Sequence, residues 1–158
     1  MTPAITAARR SGIDYQIHDY EHDPASQSYG LEAAEKLGLP SAQVFKTLVA
    51  TLDTGELVVA ILPVAARLNM KRLARALGGK KAAMAEAGKV ERSSGYVLGG
   101  VSPLGQKKPL RTVLDESANG WPTVFVSAGR RGLEIELAPA DLQAMTGAIL
   151  ADVADPDQ

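Results

Sequence analysis

Four stretches of this chain hold residues whose type and spacing could do chemistry. Lys46 stands in Val44-Phe45-Lys46-Thr47-Leu48-Val49, near the start of a run that otherwise reads as a buried strand. An ammonium there needs a partner, because an unpaired buried charge is costly. It either snorkels or makes an ordinary ion pair, or it is presented to an anion at a pocket mouth; both readings stay open. Thr47 adds a hydroxyl, although strand alternation sends it to the opposite face. His18 and His22 are spaced i, i+4 beside Asp19, Glu21 and Asp23. On a helix they would share a face and could bind a metal. Pro24 and the preceding alternation favour a strand and then a turn, so structural histidines are expected and no metal.

Asp53-Thr54-Gly55 is the triplet of aspartic proteases, whose two carboxylates share one proton. Between two apolar runs, the same Asp and Gly serve a tight turn without catalysis. The fourth stretch is GYVLGGVSPLGQKKPLRTVLD, residues 95–115. It could hold a phosphate, hold a carbonyl, or turn a corner. Gly100 to Lys107 nearly matches the phosphate loop G-x-x-x-x-G-K-[ST], but Gln106 takes the lysine slot and no Ser or Thr follows. Ser102 also misses the nucleophile elbow G-x-S-x-G, because Leu104 stands where glycine is needed. Neither a nucleotide triphosphatase nor an elbow hydrolase is supported.

These residues sit in a chain of 158, which suits one domain spanning 1–158. Its 17 Lys+Arg against 18 Asp+Glu give no general attraction to nucleic acid. Any anion-binding surface must be local. Lys80-Lys81, Lys107-Lys108-Arg111 and Arg130-Arg131 are three small basic clusters that could line one rim, though spacing does not show that they converge. Cysteine is absent, which removes disulfides, thiolate metal sites and a cysteine nucleophile. No stretch resembles a signal peptide or a membrane span, so a cytoplasmic protein without a membrane partner is expected.

The elements that must position the candidates can be read from periodicity and caps. Thr2-Pro3 opens a helix that Gly12 ends, and residues 14–20 alternate as a strand. Ser28 caps a helix stopped by Gly38 and Pro40. VFKTLVATL and ELVVAILP form a hairpin across Asp53-Thr54-Gly55. Asn69 caps MKRLARALG, with Leu73, Ala76 and Leu77 on one face. EAGKVERSS is helical, TVLD, TVFVS and LEIEL are strands, and Pro139 to Gly147 bound a last helix. The final ADPDQ reads as frayed. Helices and strands mix without a regular βαβ alternation, which predicts α+β with a mixed sheet.

Taken in order, YEHDP, VFKTL, KKAAMA, GYVLGGVSPLGQKK and RGLEIEL closely resemble the YbaK family of Cys-tRNA(Pro) deacylases, related to the editing domain of bacterial prolyl-tRNA synthetases. The resemblance covers nearly the whole chain, and the long glycine block is its most specific part. It implies a YbaK-like α+β fold, a partly barrel-like sheet around one pocket, and hydrolysis in trans of cysteine esterified to tRNA(Pro). Lys46 matches the lysine most tied to activity, placed to contact the tRNA 3′ end. Tyr20, Thr47, Gly99, Gly100 and Ser127 carry over as pocket residues. Tyr29 stands where phenylalanine is usual and Glu134 where aspartate is usual, which bears on amino-acid preference. No cofactor is implied, and prolyl-tRNA synthetase is a partner that could select the tRNA.

On this reading Gly99 and Gly100, without Cβ atoms, let backbone groups approach the aminoacyl carbonyl. The substrate's own thiol would attack its ester, leaving as a cyclic thiolactone. The alternatives are an Ala-tRNA(Pro) deacylase that activates a water, a non-catalytic binder of the tRNA 3′ end, and the protease.

Overall fold

The computed structural model describes residues 1–26 and 28–156. Helix α1 (Pro3–Ser11) begins where the Thr2 hydroxyl accepts the Ile5 N–H and ends where Gly12 turns left-handed at φ 72°. Strand β1 (Tyr15–Asp19), helix α2 (Tyr29–Leu37), strands β2 (Phe45–Leu52), β3 (Leu57–Pro63) and β4 (Ala66–Leu68), and helix α3 (Met70–Ala76) follow. Next come β5 (Ala82–Met84), α4 (Ala87–Ser94), β6 (Arg111–Asp115), a 3-10 turn at Glu116–Gly120, β7 (Val124–Arg130) and β8 (Leu133–Leu137). Helix α5 (Pro139–Thr146), β9 (Ile149–Ala151) and β10 (Ala154–Pro156) complete the order.

A five-stranded sheet runs β5-β2-β3-β6-β9, with β3–β6 and β6–β9 parallel and the other pairs antiparallel. A second sheet, β1-β8-β7, is antiparallel throughout. Val49, Val59, Ile61 and Leu114 pack with Val126, Ile135 and Leu137 of the second sheet. On the opposite face, Ala50, Val58, Ala60 and Leu62 meet Leu73 and Leu77 around α3. Both faces of β3 are therefore covered, which is why its sequence is continuously apolar rather than alternating. The mixed α+β arrangement expected from the sequence is present.

Among the described residues the backbones of the two sheets pair at one place. Val44 forms a parallel bridge with Phe125, and the Phe125 N–H donates to Gln43 O at 3.1 Å. At its other end β2 is joined by β5, but only opposite Ala50 to Leu52. Between these contacts, from Phe45 to Leu48, the second edge of β2 has no strand partner among the described residues. The sheets curl round one core and leave a slot there.

Four short strands escape the sequence reading: β4, β5, β9 and β10 have three residues each. Three residues are too few to show alternation. The tail is not frayed as expected. Ala154 to Pro156 pair with Leu68 to Ala66, and Asp155 is held by Asn69 at 2.9 Å and by the Arg72 guanidinium. Residues 157–158 of the expected tail lie outside the described residues.

Much of the glycine segment turns a corner. Ser102 is fully buried, the Tyr96 hydroxyl donates to Leu104 O at 2.6 Å, and Gln106 Nε2 donates to Ser102 O at 3.0 Å. Gly105, at φ 64°, lies so close under α1 that a Cβ would come 2.5 Å from Pro3 O. A left-handed conformation costs a non-glycine residue about 1–2 kcal/mol before that clash is counted. Gly105→Ala should therefore lower stability by about 2 kcal/mol or more, read as a reduced urea midpoint at an unchanged m value.

Candidate active site

The slot beside β2 widens into a cavity of about 480 Å³, a size that suits a small organic group. Tyr20, Tyr29, Lys46, Thr47, Gly99, Ser127 and Glu134 all line it. Lys46 and Thr47 do occupy opposite faces of β2. Both reach the cavity because it opens at the strand's edge, where alternation no longer separates them.

The Lys46 ammonium donates to Ala66 O at 2.6 Å and more weakly to Val64 O at 3.4 Å. The β3–β4 turn thus holds the cation at the cavity wall. The Thr47 hydroxyl is buried and has no hydrogen-bond partner among the described residues. Such an atom costs free energy unless a ligand supplies the missing bond.

Glu134 lies on β8, opposite Ser127 of β7 in register. Its neighbours Leu133 and Ile135 face the core, so alternation turns Glu134 to the cavity side. Only 7% of it is exposed. Burial pushes its carboxyl up to about 8. Burial, followed by the Glu134 charge, also pushes the Tyr20 phenol up to about 12 and keeps it protonated. Ser127 Oγ accepts the Gly129 N–H at 3.1 Å.

Directly after Ser127, β7 loses register with β8, and the pairing resumes only at Arg130 opposite Leu133. This bulge re-aims the hairpin, so that Arg130 and Arg131 also line the cavity. The Arg131 guanidinium carbon sits 3.7 Å from the centroid of the Tyr29 ring. His22 meets the same ring edge-on, with centroids 5.8 Å apart. His22 Nδ1 is in turn 2.7 Å from Glu32 Oε1. Burial raises the Glu32 carboxyl, but the His22 bond, the Asp23 N–H and the nearby positive charges outweigh it and hold Glu32 below the usual range.

Gly99 and Gly100 part company. Gly99 lines the cavity at φ 87°, and a Cβ there would fall 2.5 Å from Arg131 Nε and 2.6 Å from Tyr29 Cε2. Gly100 was expected to offer its backbone to the ester and does not line the cavity. Its N–H is spent on Val97 O at 3.0 Å, and its missing Cβ makes room for the Arg130 backbone, 2.9 Å away. The geometry makes Gly100 a packing residue of the loop, so a side chain there would disturb β7 before it met any substrate.

The remaining motifs resolve into structure. His18 Nε2 lies 2.9 Å from Glu136, so both histidines are partnered by carboxylates. No group of three metal-ligating side chains occurs among the described residues. Asp53 accepts the N–H groups of Lys80 and Lys81 at 2.9 and 3.2 Å, which hold its carboxyl below the usual range. It ties a turn, as its place in the hairpin suggested. Arg111 pairs with Glu56 at 2.7–2.8 Å. Of the three basic clusters, Arg130-Arg131 alone lines the cavity. Sequence reading noted that cluster without placing it; Gly129, a glycine inside a strand pattern, was the available signal for a bulge.

The aminoacyl-tRNA editing domain matches residues 23–145, and this chain belongs to that family. The YbaK-like resemblance of its motifs is thereby borne out. A protein of Enterococcus faecalis named as the Cys-tRNA(Pro)/Cys-tRNA(Cys) deacylase EbsC is 41% identical over 153 residues, 96% of this chain and 92% of that one. A proline–tRNA ligase of Trichlorobacter lovleyi is 32% identical over 120 residues, 76% of this chain but 21% of the ligase. A crystal structure described as a trans-editing enzyme for prolyl tRNA synthetase superposes with a TM-score of 0.84 at 28% identity, covering 97% of this chain and 95% of that one. Among the described residues no helix is long and apolar enough to cross a membrane.

Glu134 should leave a mark on the ligand-free protein. Below the ordinary carboxyl value of 4.5 the folded and unfolded chains both hold its proton. As pH rises from there towards about 8, the unfolded chain ionises while the folded one does not, so stability is lost across that window. Glu134→Gln should match wild type in melting temperature near the bottom of the window and melt several degrees higher above it. Parallel melting curves at every pH would show that the carboxyl titrates normally.

Proposed function

We propose that this chain deacylates cysteine wrongly esterified to tRNA(Pro), acting in trans and using the substrate's own thiol as the nucleophile. The observation that carries the reading is a charged, ligand-sized cavity in which no lining hydroxyl is hydrogen-bonded to a base among the described residues. The sequence has no cysteine, both histidines are engaged by glutamates, and Ser127 has a backbone N–H rather than a base against its oxygen. Covalent catalysis by the protein then has little to work with.

The substrate can supply what the cavity lacks. The thiol sulfur attacks the ester carbonyl, a C–S bond replaces the C–O bond to the ribose, and the thiol proton ends on the departing ribose oxygen. The product is a thiolactone that water opens later. Well-oriented attacks within one molecule reach effective molarities of ~10⁵ M or more. The protein has to fold the cysteinyl group and stabilise the developing oxyanion. Glu134 receives the α-ammonium, whose charge favours the ionised carboxylate despite burial. The unpartnered Thr47 hydroxyl and the Lys46 ammonium stand at the wall where the ester lies. Tyr20, Tyr29, Gly99 and Ser127 shape the remaining contacts.

A pocket of this size takes the end of a tRNA and little more, and that end is common to every tRNA. Selection of tRNA(Pro) is therefore assigned to a complex with prolyl-tRNA synthetase. The likeness to part of a proline–tRNA ligase is consistent with an editing unit that works either inside the synthetase or beside it.

Lys46→Ala should keep the fold and lose about one to two powers of ten in kcat/KM on Cys-tRNA(Pro), the range of a charge-assisted hydrogen bond made in the transition state. A near-normal rate in the folded variant would make the lysine structural. The nucleophile is tested by tRNA(Pro) carrying 2-aminobutyrate, which keeps the shape of cysteine and loses the sulfur. Its release should be slower than that of cysteine by orders of magnitude. Rapid release would hand the attack to water, with Glu134 as the group able to take the proton, and the alanyl-type deacylase would replace this reading.

A further inference from the structure

The cavity is polarised. Glu134 is buried in its interior, whereas Arg130 and Arg131 are exposed at its rim. No carboxylate lies within ion-pair distance of either arginine among the described residues. Arg131 nevertheless has a seat, because its guanidinium lies over the Tyr29 ring at 3.7 Å. The space it fills exists only because residue 99 is glycine; a Cβ would collide with Arg131 Nε and Tyr29 Cε2 together. A guanidinium laid on an aromatic ring has one face covered, while its N–H groups stay in its plane and point outward. That leaves a preorganised fork for two oxygens of one phosphate.

The charges of an aminoacylated tRNA end run in the complementary order. The α-ammonium is at one extreme, and the first negative charge reached beyond the ester and the ribose is the phosphodiester on the 5′ side of the terminal adenosine. Lys46 is less suited to that phosphate, since its ammonium already donates to Ala66 O at 2.6 Å. Resting on the deacylase reading above, we propose that Arg131, held flat by Tyr29 and Gly99, binds the phosphodiester of the 3′-terminal adenosine. The terminal nucleotide is thereby fixed at its outer end while Glu134 fixes the amino acid at the inner end. Tyrosine at position 29 suits this task, because an aromatic face beneath a cation is attractive.

The test is a cycle of two proteins and two substrates. The substrates are Cys-tRNA(Pro) with a normal terminal linkage and the same tRNA with a neutral methylphosphonate at that one linkage. The proteins are wild type and Arg131→Met, which is exposed and should fold; its circular dichroism is checked first. Neutralising the linkage should lower the wild-type kcat/KM about tenfold, mainly through KM, the size of one lost charge-assisted contact. Arg131→Met should be slower by a similar factor on the normal tRNA and should lose almost nothing more on the neutral one. Gly99→Ala, which displaces the stack without touching the charge, should show the same insensitivity. Equal losses in wild type and Arg131→Met on neutralisation, or a wild type indifferent to it, would overturn the proposal while leaving the deacylase reading in place. No release of cysteine by wild type from unmodified tRNA would strike that reading itself and this proposal with it.

Discussion

Everything at the site depends on one edge of β2 being claimed at both ends and left open in the middle. Val44 is bridged to β7, Ala50 to Leu52 are paired with β5, and between them the edge of β2 turned away from β3 has no strand partner among the described residues. An unpaired strand edge is normally a liability, because its peptide groups invite another strand. Here the gap opens into a cavity of about 480 Å³, the size of a small organic group. The same gap explains why adjacent residues of one strand, Lys46 and Thr47, can serve one pocket from opposite faces.

The second sheet supplies the carboxyl and the arginines of the cavity. Regular alternation along β8 keeps Leu133, Ile135 and Leu137 in the core and turns Glu134 to the cavity. A break in regularity, the bulge after Ser127, is what brings the arginines to the rim. One hairpin therefore delivers a buried negative group and an exposed positive one. The energetic tension lies in Glu134, whose burial disfavours the ionised form. A cation brought beside such a carboxyl would favour its ionised form and offset the effect of burial.

The larger elements were legible because they carry redundant signals. Helix α3 has a capping Asn69, an apolar face and a glycine stop, and the β2–β3 hairpin has two apolar runs round Asp-Thr-Gly. The short strands carried no such pattern, and the last of them was misread as a loose tail because its stability comes from Arg72 and Asn69, far away in sequence. Lys46 drew attention because a cation in an apolar strand breaks the local rule. The role of Gly100 was misjudged for a related reason: a glycine pair signals close approach, but not what approaches. For Gly99 it is a stacked side chain, and for Gly100 it is the neighbouring backbone. The Arg131–Tyr29 stack is a contact across the fold, and no local spacing could announce it.

The clasp between β4 and β10 gives the site a history as well as a shape. The carbonyl of Ala66 that holds the Lys46 ammonium belongs to β4, and the strand laid against β4 is β10, which lies far along the chain from both. Domains fold as the chain emerges, and contacts between distant residues are the slow ones to form. The lysine's seat is therefore complete only once segments far apart in sequence have met.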